Sequence, residues 1–149
     1  MEEIKLILDD ELLDEYAEYY FSLHPKALYR SIKKPRYPSV NEWMIMKRPE
    51  MNGLKQKWKD FGVWWMNKLG YNDMKLDNFE MIITVYFDTR RRVDPDNQVP
   101  KGLLDSFTAA GFIIDDSSKH LHSLTLRCDY DKEWPRTEIL IKVLDKKEE

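Results

Sequence analysis

The chain has 149 residues, 42% of them hydrophobic, which is enough for one core and too little for two, so a single domain is expected. Its apolar stretches are short and broken by charge, none near the roughly 20 residues of a membrane span, and Met1-Glu2-Glu3 does not open a signal peptide, so a cytoplasmic protein without a membrane partner is expected. Cys128 is the sole cysteine, which excludes an intrachain disulfide, and the net charge of -3 averages an acidic first segment with a cationic middle.

Ile4, Leu6 and Leu8 alternate with polar neighbours and predict a short strand. From Asp9 to Leu23, the residues Leu12, Leu13, Tyr16, Tyr19, Tyr20 and Leu23 recur at helical spacing. They predict an amphipathic helix capped by Asp9 or Asp10 and ended by His24-Pro25. Glu2, Glu3, Asp9, Asp10, Glu11, Asp14, Glu15 and Glu18 make residues 1–18 acidic against a single Lys5, whereas Lys26, Arg30, Lys33, Lys34 and Arg36 follow with no acid among them. Pro35 and Pro38 make Lys33 to Ser39 an extended connector, because proline disfavours helix at the residue before it. Residues 1–35 are therefore expected as an N-terminal extension, 36–145 as the main domain and 146–149 as a frayed tail.

A long helix is predicted from about Glu50 to Leu69, with Leu54, Trp58, Phe61, Trp65 and Leu69 as its core stripe and Lys55, Lys57 and Lys59 on other faces. Gly70 ends it by adopting positive φ. Phe79 to Phe87 is rich in β-branched and aromatic residues, and its nearly continuous apolar run predicts a central strand covered on both faces. A further helix is predicted from about Asn97 to Ala110, with Leu103, Leu104, Phe107 and Ala110 inward and Gly111 as its stop. Leu121 to Tyr130 and Glu133 to Leu144 read as two strands joined in a hairpin. His120 and His122 are read as ordinary strand residues, since no third imidazole or thiol lies close in sequence.

The segment Val93 to Lys101, between the central strand and the following helix, carries the chemistry. Asp94 and Asp96 stand two apart, and on an extended backbone such residues face the same side, with Pro95 stiffening the pair. Asp115 and Asp116 follow the helix and return to the first pair only if the chain after Gly111 doubles back. Carboxylates held close raise one another's pKa unless a cation offsets them. Oxygen ligands without His or Cys favour Mg²⁺ or Mn²⁺ over zinc. A calcium loop would need glycine where Val99 stands, whereas local spacing alone leaves a turn with an Asn or Asp helix cap open as a competing reading. Asp105, four residues after Lys101, is placed to pair with it on one helix face.

The run Asp94-Pro95-Asp96-Asn97, then Lys101, Leu104-Asp105, Ala110-Gly111 and Asp115-Asp116, resembles the signature of the RusA family of Holliday junction resolvases. Pro38-Ser39-Val40-Asn41-Glu42-Trp43 resembles the family's upstream Asn-containing segment, so the likeness spans about residues 38–144. The interval from Asp96 to Lys101 is one residue longer than the family's, with Pro100 just before the lysine. The resemblance implies a small α+β or α/β domain in which a mixed sheet of about four strands packs with two main helices, the extension being added to it. It further implies a homodimer, and Mg²⁺-dependent paired nicking of four-way DNA junctions in bacterial or bacteriophage recombination and repair.

The family's metal-binding aspartates correspond to Asp94, Asp96 and Asp116, with Asp115 as an additional candidate, and its catalytic lysine corresponds to Lys101. Arg90, Arg91, Arg92, Lys33, Lys34, Lys55 and Lys59 are the candidates for a phosphate-binding surface. Two other readings compete: a catalytically silent branched-DNA-binding or phage regulatory protein, and a metal-stabilised domain with a protein partner.

Overall fold

The computed structural model describes residues 2–91 and 93–144. In chain order the elements are β1 (Glu2–Asp9), α1 (Asp10–Leu23), α2 (Val40–Met44), α3 (Arg48–Leu69), β2 (Phe79–Phe87), a 3-10 turn (Pro95–Asn97), α4 (Lys101–Ala110), β3 (Leu121–Tyr130) and β4 (Arg136–Val143). They form one small α+β domain on a four-stranded mixed sheet of order β1-β4-β2-β3, in which β2 and β3 run parallel and the other pairs antiparallel. Among the described residues no helix is long and apolar enough to cross a membrane. Residues 146–149, expected as a frayed tail, lie outside the described part, as does Arg92.

The alternation in β2 explains how the sheet meets its helices. Phe79, Met81, Ile83 and Val85 are buried, while Glu80, Ile82, Thr84 and Tyr86 are only half-buried. The strand is central, as its apolar composition predicts, but one of its faces is covered rather than both. The core joins these strand residues to Phe61 and Trp65 of α3, Phe107 of α4 and Phe112 just beyond it, and α3 and α4 contact each other directly. The two helices approach closely at Gly62, where an added Cβ would lie 2.0 Å from the Ser106 hydroxyl oxygen. Gly70 and Gly111 end α3 and α4 in the left-handed region, at φ 74° and 81°.

Two further expectations change. The segment 131–135 does not close a hairpin: β3 and β4 lie on either side of β2, and Asp131 N–H donates to Phe87 O at 2.8 Å where the connection crosses the end of that strand. The short link favours a hairpin locally, but β2 offers both strands a longer apolar ladder. Residues 1–35, expected as an extension, share the sheet and the core. β1 pairs with β4 along its whole length, and α1, capped by the Asp9 side chain, buries Leu12, Leu13 and Tyr16. The Tyr16 ring meets Phe61 edge-on at 5.2 Å, which ties this acidic helix to α3.

The parallel β2-α4-β3 unit positions the candidate site. Its first loop, from β2 to α4, lies at the carboxyl end of β2, where open α/β sheets commonly place their ligands, while the α4–β3 connection runs past the entry of β2, where Ile113 bridges Leu76.

Candidate active site

At the carboxyl end of β2 the chain leaves the strand through Asp88 to Arg91 and enters the acidic turn. Asp94 is extended, Asn97 N–H donates to Asp94 O at 2.9 Å, and Gln98 N–H donates to Pro95 O at 3.3 Å. Asp94 and Asp96 are therefore not neighbours on an extended strand, since Pro95–Asn97 curls into a 3-10 turn. The tight turn nonetheless leaves both on one open cleft, shared with Asn97, Val93 and the Val40-Asn41 start of α2. The Asn-containing segment noted in the sequence and the acidic turn thus meet in space.

Gln98 fixes this arrangement, and sequence reasoning missed it. Its side-chain amide donates to Arg127 O at 3.1 Å and approaches Cys128 Sγ at 2.9 Å, while its amide oxygen accepts from the Tyr37 hydroxyl. Its backbone pairs with Ser39, and Val99 N–H donates to Pro38 O at 3.2 Å. One residue therefore ties the acidic turn to the connector on one side and to β3 on the other. Burial pushes both the Tyr37 phenol and the Cys128 thiol above their ordinary ranges, so both remain protonated around neutral pH. A lone Gln in a loop carries no sequence signal for such a role.

The other candidates gather at the start of α4. The helix begins at Lys101 with Pro100 as its N-cap residue, so Asn97 does not cap it. Pro100 has no N–H to contribute, and its carbonyl accepts from Leu104 N–H at 3.0 Å, so the additional residue before Lys101 is accommodated without loss of a helical hydrogen bond. Lys101 Nζ lies 3.7 Å from Asp105 Oδ1. After Gly111 the chain does double back: Ile113 forms a parallel bridge with Leu76, and Asp116 returns to within electrostatic reach of Lys101 and Asp105. Partial burial raises the Asp116 carboxyl above the ordinary carboxylate range. Its hydrogen bond to Asp115 and the Asp105 charge add to the effect, and Lys101 opposes it. Asp115 Oδ1 accepts from Asp116 N–H at 2.9 Å, so Asp115 orients that loop.

The predicted set therefore falls into two groups: Asp94 and Asp96 with Asn41 and Asn97, and Lys101 with Asp105, Asp115 and Asp116. Asp94, Asp96 and Asp116 do not form a three-carboxylate metal centre within one chain, and no group of three or more His, Cys, Asp or Glu side chains able to hold a metal exists among the described residues. The first group offers hard oxygen donors and amides to a cation or a polar ligand. The second pairs an ammonium with a carboxyl that binds its proton more tightly than usual.

Cations surround the first group. Arg36, Arg91, Asn41 and Asn97 line one hollow of about 430 Å³, with the Arg36 guanidinium 5.0 Å above the Phe87 ring. Arg90 lies 4.4 Å from the Tyr130 ring centre in the adjoining hollow. Among the described residues none of Arg36, Arg90 and Arg91 is ion-paired. Lys33 and Lys34 line the neighbouring hollow beside the connector. Lys55 lies 5.6 Å over Trp43, and Lys59 is exposed on α3. His120 and His122 bind Asp77 at 2.6 Å and Asn78 at 2.9 Å, so both hold the β2 entry loop. No model of a known protein family matches the chain, and neither does any curated protein.

Proposed function

We propose that the protein is a structure-selective endodeoxyribonuclease that resolves four-way DNA junctions by paired nicks, acting as a homodimer with one site per subunit in recombination and repair. The observation that supports this reading best is the return of Asp116, after α4, to within electrostatic reach of Lys101, in the same β2-α4-β3 unit whose first loop carries the Asp94-Asp96 cleft. Nothing in local spacing requires residues 101 and 116 to meet, and the resolvase-like motif needs them to. Two-fold symmetry suits the task, because two copies of one site can address two symmetry-related strands.

Phosphodiester cleavage needs an activated water, a counter-charge for the phosphate and control of protons. In the proposed reaction Lys101 supplies counter-charge to the phosphate, Asp116 holds or releases a proton beside it, and Asn41 and Asn97 orient the strand in the cleft. The proposed cofactor is Mg²⁺, with Mn²⁺ as substitute, for which Asp94 and Asp96 supply oxygen donors of the right hardness. The third carboxylate, from Asp116, does not join them within one chain.

That separation favours a second reading, a branched-DNA-binding protein that does not cut. A synthetic four-way junction incubated with the protein and Mg²⁺ or Mn²⁺ separates the two. Symmetric nicks that disappear in Asp96→Asn and fall by about 10²–10³-fold in Lys101→Ala are expected for the nuclease. Binding without nicking by the native chain would leave the binding reading standing, and no binding at low salt would sink both.

A further inference from the structure

A second hollow of about 440 Å³ lies between residues 31–38, which include most of the connector, and the first half of α3. Its walls are apolar, built from Ile32, Met46, Leu54 and Trp58, and its rim carries Lys33, Lys34, Arg36 and Lys57 against the carboxylates of Glu42 and Glu50. None of those four cations is ion-paired among the described residues. The groove adjoins the hollow that contains Asn41 and Asn97, with Arg36, Tyr37, Pro38 and Glu42 lining both, and Asn41 and Asn97 in turn line the acidic cleft.

We propose that this groove receives an unpaired nucleotide of the DNA strand that leaves the acidic cleft. The base lies against the Ile32-Leu54 wall, and the phosphates on either side are held by Lys33, Lys34, Arg36 and Lys57. A duplex hides its base faces in the stack and is too broad for a hollow of this volume, whereas a single base fits the size of an ordinary ligand pocket. A base also combines a flat apolar face with a flanking negative charge, the pairing that single-strand-binding grooves use. An acidic peptide would meet the same cations but would bring no flat apolar group to the walls. The direction of the strand rests on the nuclease reading, while the ligand of the groove does not.

Gly53 makes the inference testable. It lines the groove on an exposed face of α3, and a Cβ built on it meets nothing within 4 Å, so a large side chain there enters the groove without displacing the helix. The probe is a fluorescent oligothymidine of about 12 nucleotides followed by anisotropy without divalent metal. The native chain and Gly53→Ala are expected to bind it alike, and Gly53→Trp and Lys57→Glu to bind at least about tenfold more weakly with unchanged melting temperatures. Equal binding by native and Gly53→Trp, no binding by the native chain, or displacement by polyglutamate as effective as by unlabelled oligothymidine would overturn the proposal. Junction cleavage by the same proteins separates it from the nuclease reading. Cutting by a native chain whose oligothymidine binding ignores Gly53→Trp sinks the groove alone, and Trp-sensitive binding without cutting sinks the nuclease alone.

Discussion

Two arginines lie over the rings of consecutive residues on β2, and the fold treats them differently. Arg136 sits 3.8 Å from the Tyr86 ring centre and 4.1 Å from that of Trp134, with its guanidinium bonded to Glu138 at 2.6 Å and Asp131 at 2.8 Å. Arg36 sits over Phe87 at 5.0 Å with no ion pair among the described residues. Successive strand residues project to opposite faces, so the two cations belong to opposite sides of the sheet. The charge on the outer face is neutralised by the protein itself, and the charge beside the acidic turn is left for something else to neutralise. On the proposed reading, the first contributes to stability and the second to recognition.

The largest expected effect comes from breaking the satisfied side. Arg136 is 9% exposed, so Arg136→Met leaves Glu138 without its strongest partner and is expected to cost about 2 kcal/mol, below the figure for a fully buried pair because the carboxylates are partly solvated. Urea denaturation measures it, and junction affinity should not change. A loss below about 0.5 kcal/mol would mean that the outer-face network is ornamental.

The open side should behave in the opposite way. Arg36→Met keeps an apolar stem over Phe87, so stability should move by less than about 0.5 kcal/mol. Junction affinity should fall several-fold, with the slope of log K against log salt reduced by about 1, as expected when one phosphate contact is lost. Anisotropy titrations at three salt concentrations read both quantities. A large stability loss with an unchanged salt slope would erase the distinction between the two arginines.

The elements themselves were legible because each is set by local periodicity. The Asp9 cap, the α3 stripe of Trp58, Phe61 and Trp65, and the glycine stops at 70 and 111 all follow from neighbours a few residues away. Pairing was not legible. β1 joins β4 and β3 joins β2 across long sequence separations, and the short link at 131–135 points locally to a hairpin that β2 prevents. The site divides in the same way. Lys101 beside Asp105 is an i, i+4 consequence, whereas the Gln98 clamp and the Arg36-Phe87 contact depend on the connector folding back onto the end of β2.

Acid titration sharpens the comparison by the smallest margin. Burial alone would raise the Glu138 carboxyl, but hydrogen bonds from Arg136 and Lys5 outweigh it and hold the group below its ordinary value of 4.5. Asp131 is likewise held low, chiefly by its hydrogen bond from Arg136. A carboxyl with a depressed folded pKa contributes stability above its unfolded pKa and loses that contribution as pH falls through the folded one. The native chain should therefore lose stability progressively below about pH 4.5, as protonation severs Glu138 from Arg136 and Lys5. In Arg136→Met the two carboxyls have lost the partner they share, so the same pH interval should cost less, and the native and variant stability curves should converge as pH approaches 3. Arg36→Met, with no carboxylate to release, should instead run parallel to the native curve throughout. Urea midpoints at pH 7, 4.5 and 3 for the three proteins test this. If the Arg136→Met curve stays parallel to the native one, the outer-face arginine is no more tied to its acids than Arg36 is.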